Sequence, residues 1–286
     1  MAILLLFVGV LALVLINVPI AVALGIVAVV AMVASQGADT LPNVALVMYG
    51  GATSFPLLAI PLFILAGAIM NASGISRRLI AFASALLGFI RGGLSMAAIG
   101  TSLFFAEISG SAVADVAALG SVLIPAMKKR GYPPAFAAAV MSSSATLAVI
   151  IPPSIPMILY AVMADTSVVQ LFVAGIIPGV LGGLGLMGMA YWFARRHNYP
   201  VEEAFNWANV RRTLREAGWA LTLPLIILGS IFGGVVTATE GAALAVVAAL
   251  FIGLGVYREL NWRHLRDAII EGGVQTAVVM LLVAAS

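Results

Sequence analysis

The chain has 286 residues, of which 63% are apolar and 9% are charged. Ordinary soluble domains carry roughly a quarter of charged residues, and a chain of this length cannot bury so large an apolar fraction. The composition therefore excludes a soluble enzyme, a disordered chain and a nucleic-acid-binding protein. It predicts an all-α polytopic membrane protein in contact with the lipid bilayer, with room for about eight crossings of about 20 residues each.

Uncharged runs mark the predicted membrane helices, because a backbone surrounded by lipid must satisfy its own hydrogen bonds. Asn17-Val18-Pro19 divides the first run, since proline ends the preceding helix. The segments 76–92 and 202–216 are amphipathic and are predicted to lie along the cytoplasmic membrane surface, the second with Trp207 as an interface anchor. In chain order the predicted spans are 2–16, 19–35, 55–72, 135–164, 168–194, 218–234 and 237–257, and a further span opens at 273.

The basic residues predict the orientation of the chain in the membrane. All 14 fall in cytoplasmic loops if the N-terminus is periplasmic and residues 94–125 begin and end on the cytoplasmic side. That segment is too short for two full crossings. We therefore predict a re-entrant helical hairpin that turns at Ser109-Gly110-Ser111 and leaves the membrane at Pro125. A single tilted span with a polar face is the alternative.

Two carboxylates flank the predicted turn, Glu107 before it and Asp115 after it. Charges at membrane depth are costly and usually functional, so both are candidate coupling carboxylates. For Asp115 the alternative is a hydrogen-bonded structural carboxylate between the hairpin and the scaffold. Glu240 follows two threonines at a helix start and is predicted to be a first-turn acid that the helix dipole favours.

A second interruption falls inside the predicted span 135–164. Pro152, Pro153 and Pro156 cannot lie within a continuous helix, so we predict a helix, an unwound stretch and a second helix. Free carbonyls and hydroxyls are hard oxygen ligands that suit Na⁺, and half-helix N-termini suit a substrate carboxylate. A hairpin tip that meets a broken helix is a common way to build a transporter site. For the serines at 142–144 the alternative role is close packing between helices.

The spacing of the elements indicates an inverted repeat, since helices 2–16 and 19–35 resemble 218–234 and 241–257 in length and in the break between them. The predicted division assigns 1–75 to the scaffold helices of repeat 1, 76–92 to a cytoplasmic arm helix, 93–165 to the hairpin and discontinuous helix of a transport domain, 166–217 to a connecting span and cytoplasmic interfacial helix, and 218–286 to a second repeat that is truncated within its third span.

Several motifs resemble those of a known family. They are the hairpin residues 105–115, the following 123–132, the Ile-Pro-Pro-Ser stretch in 145–154, and the segments 239–245 and 61–67. Together they resemble the large membrane subunit of tripartite ATP-independent periplasmic (TRAP) transporters, part of the wider ion-transporter superfamily. The resemblance covers essentially the whole chain, and the hairpin and Ile-Pro-Pro-Ser motifs are its most specific parts.

The resemblance implies an elevator-type secondary transporter of the bacterial inner membrane. It implies uptake of organic acids, such as C4-dicarboxylates, keto acids or sialic acids, with Na⁺ as the coupling ion and no cofactor. Two partners are implied, a small membrane subunit that braces the scaffold and a periplasmic substrate-binding protein. Carried over by position, the implied sodium-site residues are Ser109, Gly110, Ser111, Ser144, Thr146 and Pro152, and the implied substrate contacts are Ser111 and Ser154.

Two other function classes compete with the transporter. A non-transporting scaffold or channel-forming subunit is the main alternative, although a channel needs a polar face across the whole bilayer. An intramembrane enzyme needs a nucleophile and a base, and no histidine or cysteine lies in a predicted span. We therefore expect no enzyme activity and no transition-metal site.

Overall fold

The computed structural model describes residues 2–201 and 204–285, and the side chains of residues 2 and 107–109 lie outside the described part. Within these ranges the chain is helical and contains no β-strand, which confirms the all-α prediction. Six helical segments of the described chain are long and apolar enough to cross a bilayer. The protein is therefore a polytopic membrane protein.

The helices follow one another with short connections. In chain order they are α1 (Ala2–Leu15), α2 (Ile20–Gln36), α3 (Leu41–Ala52), α4 (Ala59–Ala72), α5 (Ile75–Leu87), α6 (Gly93–Ser109), α7 (Ala112–Lys129), α8 (Pro134–Ala145), α9 (Leu147–Ile150), α10 (Ile155–Met163), α11 (Val168–Arg196), α12 (Trp207–Phe232), α13 (Ala238–Leu250, continued by a π-helical segment Phe251–Val256) and α14 (Trp262–Ala285).

Two pairs of segments that were predicted separately are continuous in the structure. Residues 207–216 of the predicted interfacial helix are continuous with the predicted span 218–234 in the single helix α12, and residues 262–272 are continuous with the span at 273 in α14. In α12 the buried face passes through the predicted boundary without interruption. Its buried residues before and after that boundary are Val210, Thr213, Ala217, Ala220 and Leu223. Their spacing of three and four residues is that of one amphipathic helix.

Two helix ends also differ from the prediction. The arm helix α5 ends at Leu87, short of the predicted 92. Helix α7 continues through Pro125 to Lys129. The structure thus places the end of the hairpin one helical turn later than the proline suggested.

The helices pack around two main apolar cores. In the first, α4 is central and contributes Ile60, Phe63 and Ile64 to a cluster with α10, α12 and α13. The second joins α6 to α7, α8, α9 and α11, with Phe105 and Leu119 fully buried at its centre. Dispersion and close packing hold such cores together, because lipid leaves little hydrophobic driving force between helices. The hairpin and the first part of the interrupted helix, α8 and α9, therefore share one core, whereas α10 packs in the core around α4.

Helix α11 packs against the interrupted segment, and two of its glycines face that segment. A Cβ at Gly179 would lie 2.5 Å from Ile151 Cγ1, and one at Gly175 would overlap the Ile150 carbonyl oxygen. Small residues at these two positions allow the backbone of α11 to approach closely. Larger side chains there would push α11 away from the break.

An ion-pair cluster joins the first turn of α5 to the turn after α13. Glu259 accepts hydrogen bonds from Arg77 Nη2 at 3.0 Å and from Arg78 Nη2 at 2.6 Å. The Arg78 guanidinium also lies 3.9 Å from the centre of the Tyr257 ring. The Tyr257 hydroxyl donates to the Glu216 carbonyl oxygen at 2.8 Å, which ties α12 to the cluster. Hydrogen bonding to Arg78 and the charges of both arginines hold the pKa of Glu259 below its ordinary value.

Replacing Glu259 with Gln is expected to lower the free energy of unfolding by about 1 kcal/mol at neutral pH, as for a well-placed but partly exposed ion pair. Because the folded pKa lies below the unfolded one, the carboxylate stabilises the fold above the ordinary value of 4.5 and loses this effect as pH falls through the lowered value. The Tm difference between the wild type and Glu259→Gln should therefore shrink in acid. The matched control is Glu216→Gln, which removes an exposed carboxylate and should leave Tm nearly unchanged. A Tm difference that stays constant from neutral pH into acid would contradict the prediction.

Candidate functional site

A tight turn joins α6 to α7 at the position predicted for the hairpin tip. Gly110 has a φ of +57°, which favours glycine, and its N–H donates to the Ala106 carbonyl oxygen at 3.2 Å to end α6. Ser111 caps α7, since its hydroxyl oxygen accepts from the Ala114 N–H at 3.4 Å. The chain therefore reverses direction over two residues and leaves a helix end on each side of the turn.

The next helical segment is interrupted where the prolines predicted. Helix α9 ends at Ile150, residues 151–154 are not helical, and α10 begins at Ile155. Ser154 links α9 to α10 across the interruption. Its hydroxyl donates to the Val149 carbonyl oxygen at 2.7 Å, and the same oxygen accepts from the Met157 N–H at 3.5 Å. The side chain of Ser154 is fully buried.

The hairpin tip contacts this interruption directly. The Ile155 N–H donates to the Gly110 carbonyl oxygen at 3.3 Å. A Cβ at Gly110 would lie 2.8 Å from the Pro153 carbonyl oxygen, so the two backbones meet where only glycine fits. The tip and the break form one local structure, although they lie far apart along the chain.

Helix ends of both polarities come together at this contact. The N-termini of α7 and α10 carry a partial positive charge, which suits a carboxylate or another anion. At α10 the N–H groups of Ile155 and Met157 are already bonded and Pro156 has none, so α7 is the helix that can offer N–H groups. The C-termini of α6 and α9 carry free carbonyls and a partial negative charge, which suit a hard cation. The arrangement can therefore hold an anion and a cation side by side without a charged side chain.

A cavity of about 640 Å³ opens beside the tip. Ser111 and Ile155 line it on the hairpin side, α4 contributes Asn71, and α14 contributes Glu271 and Gln275. Sequence reasoning missed these three polar residues. For the two residues of α14 the signal in the sequence is the row of polar side chains at 264, 267, 271 and 275, which recurs at helical spacing.

The other predicted sodium-site residues lie at different distances from the tip. Ser144 is buried and faces α6, since it accepts from the Ser102 hydroxyl at 3.0 Å and donates to the Met141 carbonyl oxygen at 3.1 Å. Thr146 is exposed, and its hydroxyl donates to the Ser143 carbonyl oxygen at 2.7 Å. Pro152 is buried within the unwound stretch. The side chains of Glu107 and Ser109 lie outside the described part of the structure.

Asp115 is fully buried in the first turn of α7. Its N–H donates to the Ser111 carbonyl oxygen at 3.0 Å, so the carboxylate lies one turn from the tip. A carboxylate at this position is stabilised by the positive end of the helix dipole.

Glu240 lies in the first turn of α13, as predicted. Its carboxylate accepts from the Thr237 N–H at 2.7 Å, and its own N–H donates to the Thr237 hydroxyl at 3.3 Å.

Comparison with known proteins gives the family. Residues 7–286 match the model of the tripartite ATP-independent periplasmic transporter, DctM component. The chain is 44% identical over 268 residues to the isethionate TRAP transporter permease protein DctMQ of Oleidesulfovibrio alaskensis, which covers 93% of this chain and 42% of the relative. It is 42% identical over 246 residues to the C4-dicarboxylate TRAP transporter large permease protein DctM of Pseudomonas aeruginosa, covering 86% and 58%.

A third relative is the 2,3-diketo-L-gulonate TRAP transporter large permease protein YiaN of Escherichia coli, 41% identical over 239 residues, covering 84% of this chain and 56% of the relative. The chain thus spans about half the length of the curated relatives it matches. These relatives are transport proteins rather than enzymes, in agreement with the prediction. The chain belongs to the DctM-component family of tripartite ATP-independent periplasmic transporters.

Proposed function

We propose that this chain forms part of the permease of a Na⁺-driven secondary transporter that takes up organic acids. The observation that carries the proposal is the contact between the hairpin tip and the unwound segment, where the Ile155 N–H meets the Gly110 carbonyl oxygen at 3.3 Å. That contact brings together helix N-termini for an anion and helix C-termini for a cation. Uptake of the acid is coupled to Na⁺ because the anion and the cation must both be bound before the site moves across the membrane.

The substrate is an organic anion with a carboxylate or sulfonate group. The three relatives described above are named for isethionate, C4-dicarboxylates and 2,3-diketo-L-gulonate, which all carry such a group. The N-terminus of α7 offers backbone N–H groups to any of these anions, and the dipole of α10 adds partial positive charge beside it. The contact between the hairpin tip and the unwound segment therefore binds the acid group, and other residues recognise the remainder of the substrate.

The proposed transporter works in the bacterial inner membrane with its N-terminus periplasmic. A small membrane subunit braces the scaffold, and a periplasmic binding protein delivers the substrate. The transporter works by an elevator movement that carries the site across the membrane, in a fold with inverted repeats. The orientation is supported by the positions of the arginines, since all of them fall on one side of the predicted membrane.

The test is uptake by the complete transporter in proteoliposomes with a Na⁺ gradient, supplied with its binding protein and substrate. We expect accumulation of the acid against its gradient, which neither a scaffold nor a channel can produce. Ser111→Ala removes the cap of α7 and should raise the half-saturating Na⁺ concentration by about fivefold, since loss of such a cap costs about 1 kcal/mol. The control is Ser142→Ala, whose exposed hydroxyl bonds only the Ala138 carbonyl oxygen of its own helix. Uptake that is indifferent to Na⁺ would contradict the proposal.

A further inference from the structure

A second, smaller cavity adjoins the one at the hairpin tip. Its volume is about 340 Å³, and it shares Ala68, Asn71 and Glu271 with the larger cavity. It extends toward the start of α14 through Asp267 and His264. Both cavities are far larger than a single water molecule requires. Their lining residues extend from Ser111 at the hairpin tip to His264, beside Arg263 at the start of α14.

One face of α14 lines this route with polar side chains. His264, Asp267, Glu271 and Gln275 follow one another at spacings of three and four residues, which places them on one side of the helix. The helix is otherwise apolar enough to cross a membrane. The opposite wall is Asn71, whose side-chain oxygen accepts from the Ser76 hydroxyl at 2.7 Å. A polar row facing a cavity is expected where a helix lines water rather than lipid.

Glu271 lies at the junction of the two cavities, because it lines both. It is nine residues C-terminal to Trp262, the first residue of α14, and is well inside the candidate span Trp262–Ala285. Its carboxylate accepts from Gln275 Nε2 at 3.4 Å and is exposed to the cavity side. In the part of the chain that the structure describes, no ion pair of Glu271 is found within 4 Å. A carboxylate at such a position attracts cations and repels anions.

We propose that the two cavities form one aqueous passage between the hairpin tip and the arginine-bearing side, and that Glu271 makes this passage selective for cations. The passage gives Na⁺ its route from the tip, and the Glu271 charge raises the local cation concentration at the junction. This deepens the proposed function and rests on it for the identity of the ion. The charge selectivity itself is a property of the passage and can be measured without transport.

The test measures how fast a cysteine in the passage reacts with charged thiol reagents. The chain contains no cysteine, so Val278→Cys, which lines the larger cavity, introduces a single thiol in this part of the complete transporter. Positively and negatively charged methanethiosulfonates are applied from the arginine-bearing side, and their rates are normalised to those with free cysteine. We expect the positive reagent to be favoured. Glu271→Gln should reduce that preference by about three- to tenfold, the effect of one charge within about 10 Å in wet protein.

Three controls make the result specific. Ile269→Cys lies nine residues from 278, about half a turn away around α14, and although it is 49% exposed it should not react. Glu216→Gln removes an exposed charge outside both cavities and should leave the preference unchanged. Glu271→Asp keeps the charge and should keep the preference, which separates lost charge from a damaged fold.

An unreactive cysteine at 278, or a preference that Glu271→Gln does not change, would overturn the inference. Its failure is distinct from failure of the proposed function. Na⁺-independent uptake would contradict the transporter and leave the labelling ratios intact. Conversely, unselective labelling in a transporter that still uses Na⁺ would reject only the role of Glu271.

Discussion

Gly110→Ala is expected to reduce substrate uptake by the complete transporter at least tenfold without preventing membrane insertion. The added Cβ would lie 2.8 Å from the Pro153 carbonyl oxygen and 3.4 Å from the Ile155 nitrogen. Both neighbours are backbone atoms, so neither can rotate away as a flexible side chain could. The tip must therefore withdraw from the unwound segment, and the hydrogen bond from Ile155 to Gly110 is lost. Since the proposed site consists of helix ends that meet at this contact, their separation removes the site.

The backbone conformation of Gly110 also favours glycine, and this effect must be separated from the clash. Its φ is +57°, and an alanine in that region costs about 1 kcal/mol. Gly234 is a matched control, because its φ is +69° and a Cβ there would meet nothing within 4 Å. Gly234→Ala should show a similar loss of thermal stability and nearly normal uptake. Equal losses of uptake in the two variants would show that backbone strain alone, and not the contact, explains the effect.

Features that depend on a few consecutive residues could be predicted from the sequence. Gly110 and Ser111 favour a tight turn because of their own residue types, and prolines at 152 and 153 interrupt a helix for the same local reason. The break between α1 and α2 at Asn17 is of the same kind, and its φ of +69° agrees with a helix end. Composition then required these elements to be buried in protein or to line a cavity, because lipid cannot satisfy their free backbone groups.

Features that depend on the packing of distant helices could not be predicted. Helix α12 is continuous through residue 217 because one of its faces is buried against α5. The charges on its other face had suggested a separate interfacial helix. The rotation of α8 directs Ser144 toward Ser102, and hydroxyl content alone did not reveal this. The wall of the cavity exists because α14 crosses α4 closely at Gly272, where a Cβ would lie 3.5 Å from Leu65 Cα. Asn71 and Glu271 face each other as a result of that crossing.

Asp115→Asn is expected to lower uptake at least tenfold and to raise the half-saturating Na⁺ concentration of the remaining activity. Asp115 is fully buried in the first turn of α7, one turn from Ser111. Asparagine has nearly the same volume, so packing is kept while the negative charge is removed. A hydrogen bond to a charged group contributes about 1.5–3 kcal/mol, and each 1.4 kcal/mol corresponds to a factor of ten. A negative charge this close to the tip also increases the affinity for a cation there.

The competing role for Asp115 is purely structural, and the same variant distinguishes the two. A structural carboxylate predicts a lower Tm and fewer active molecules, with an unchanged half-saturating Na⁺ concentration in those that remain. A coupling carboxylate predicts a changed Na⁺ dependence even where Tm is restored by substrate or lipid. Asp39→Asn makes the same substitution at an exposed position outside the site and should affect neither quantity. If Asp115→Asn shifts only Tm, the carboxylate braces α7 within the second core, and cation binding at the tip depends on backbone carbonyls and hydroxyls alone.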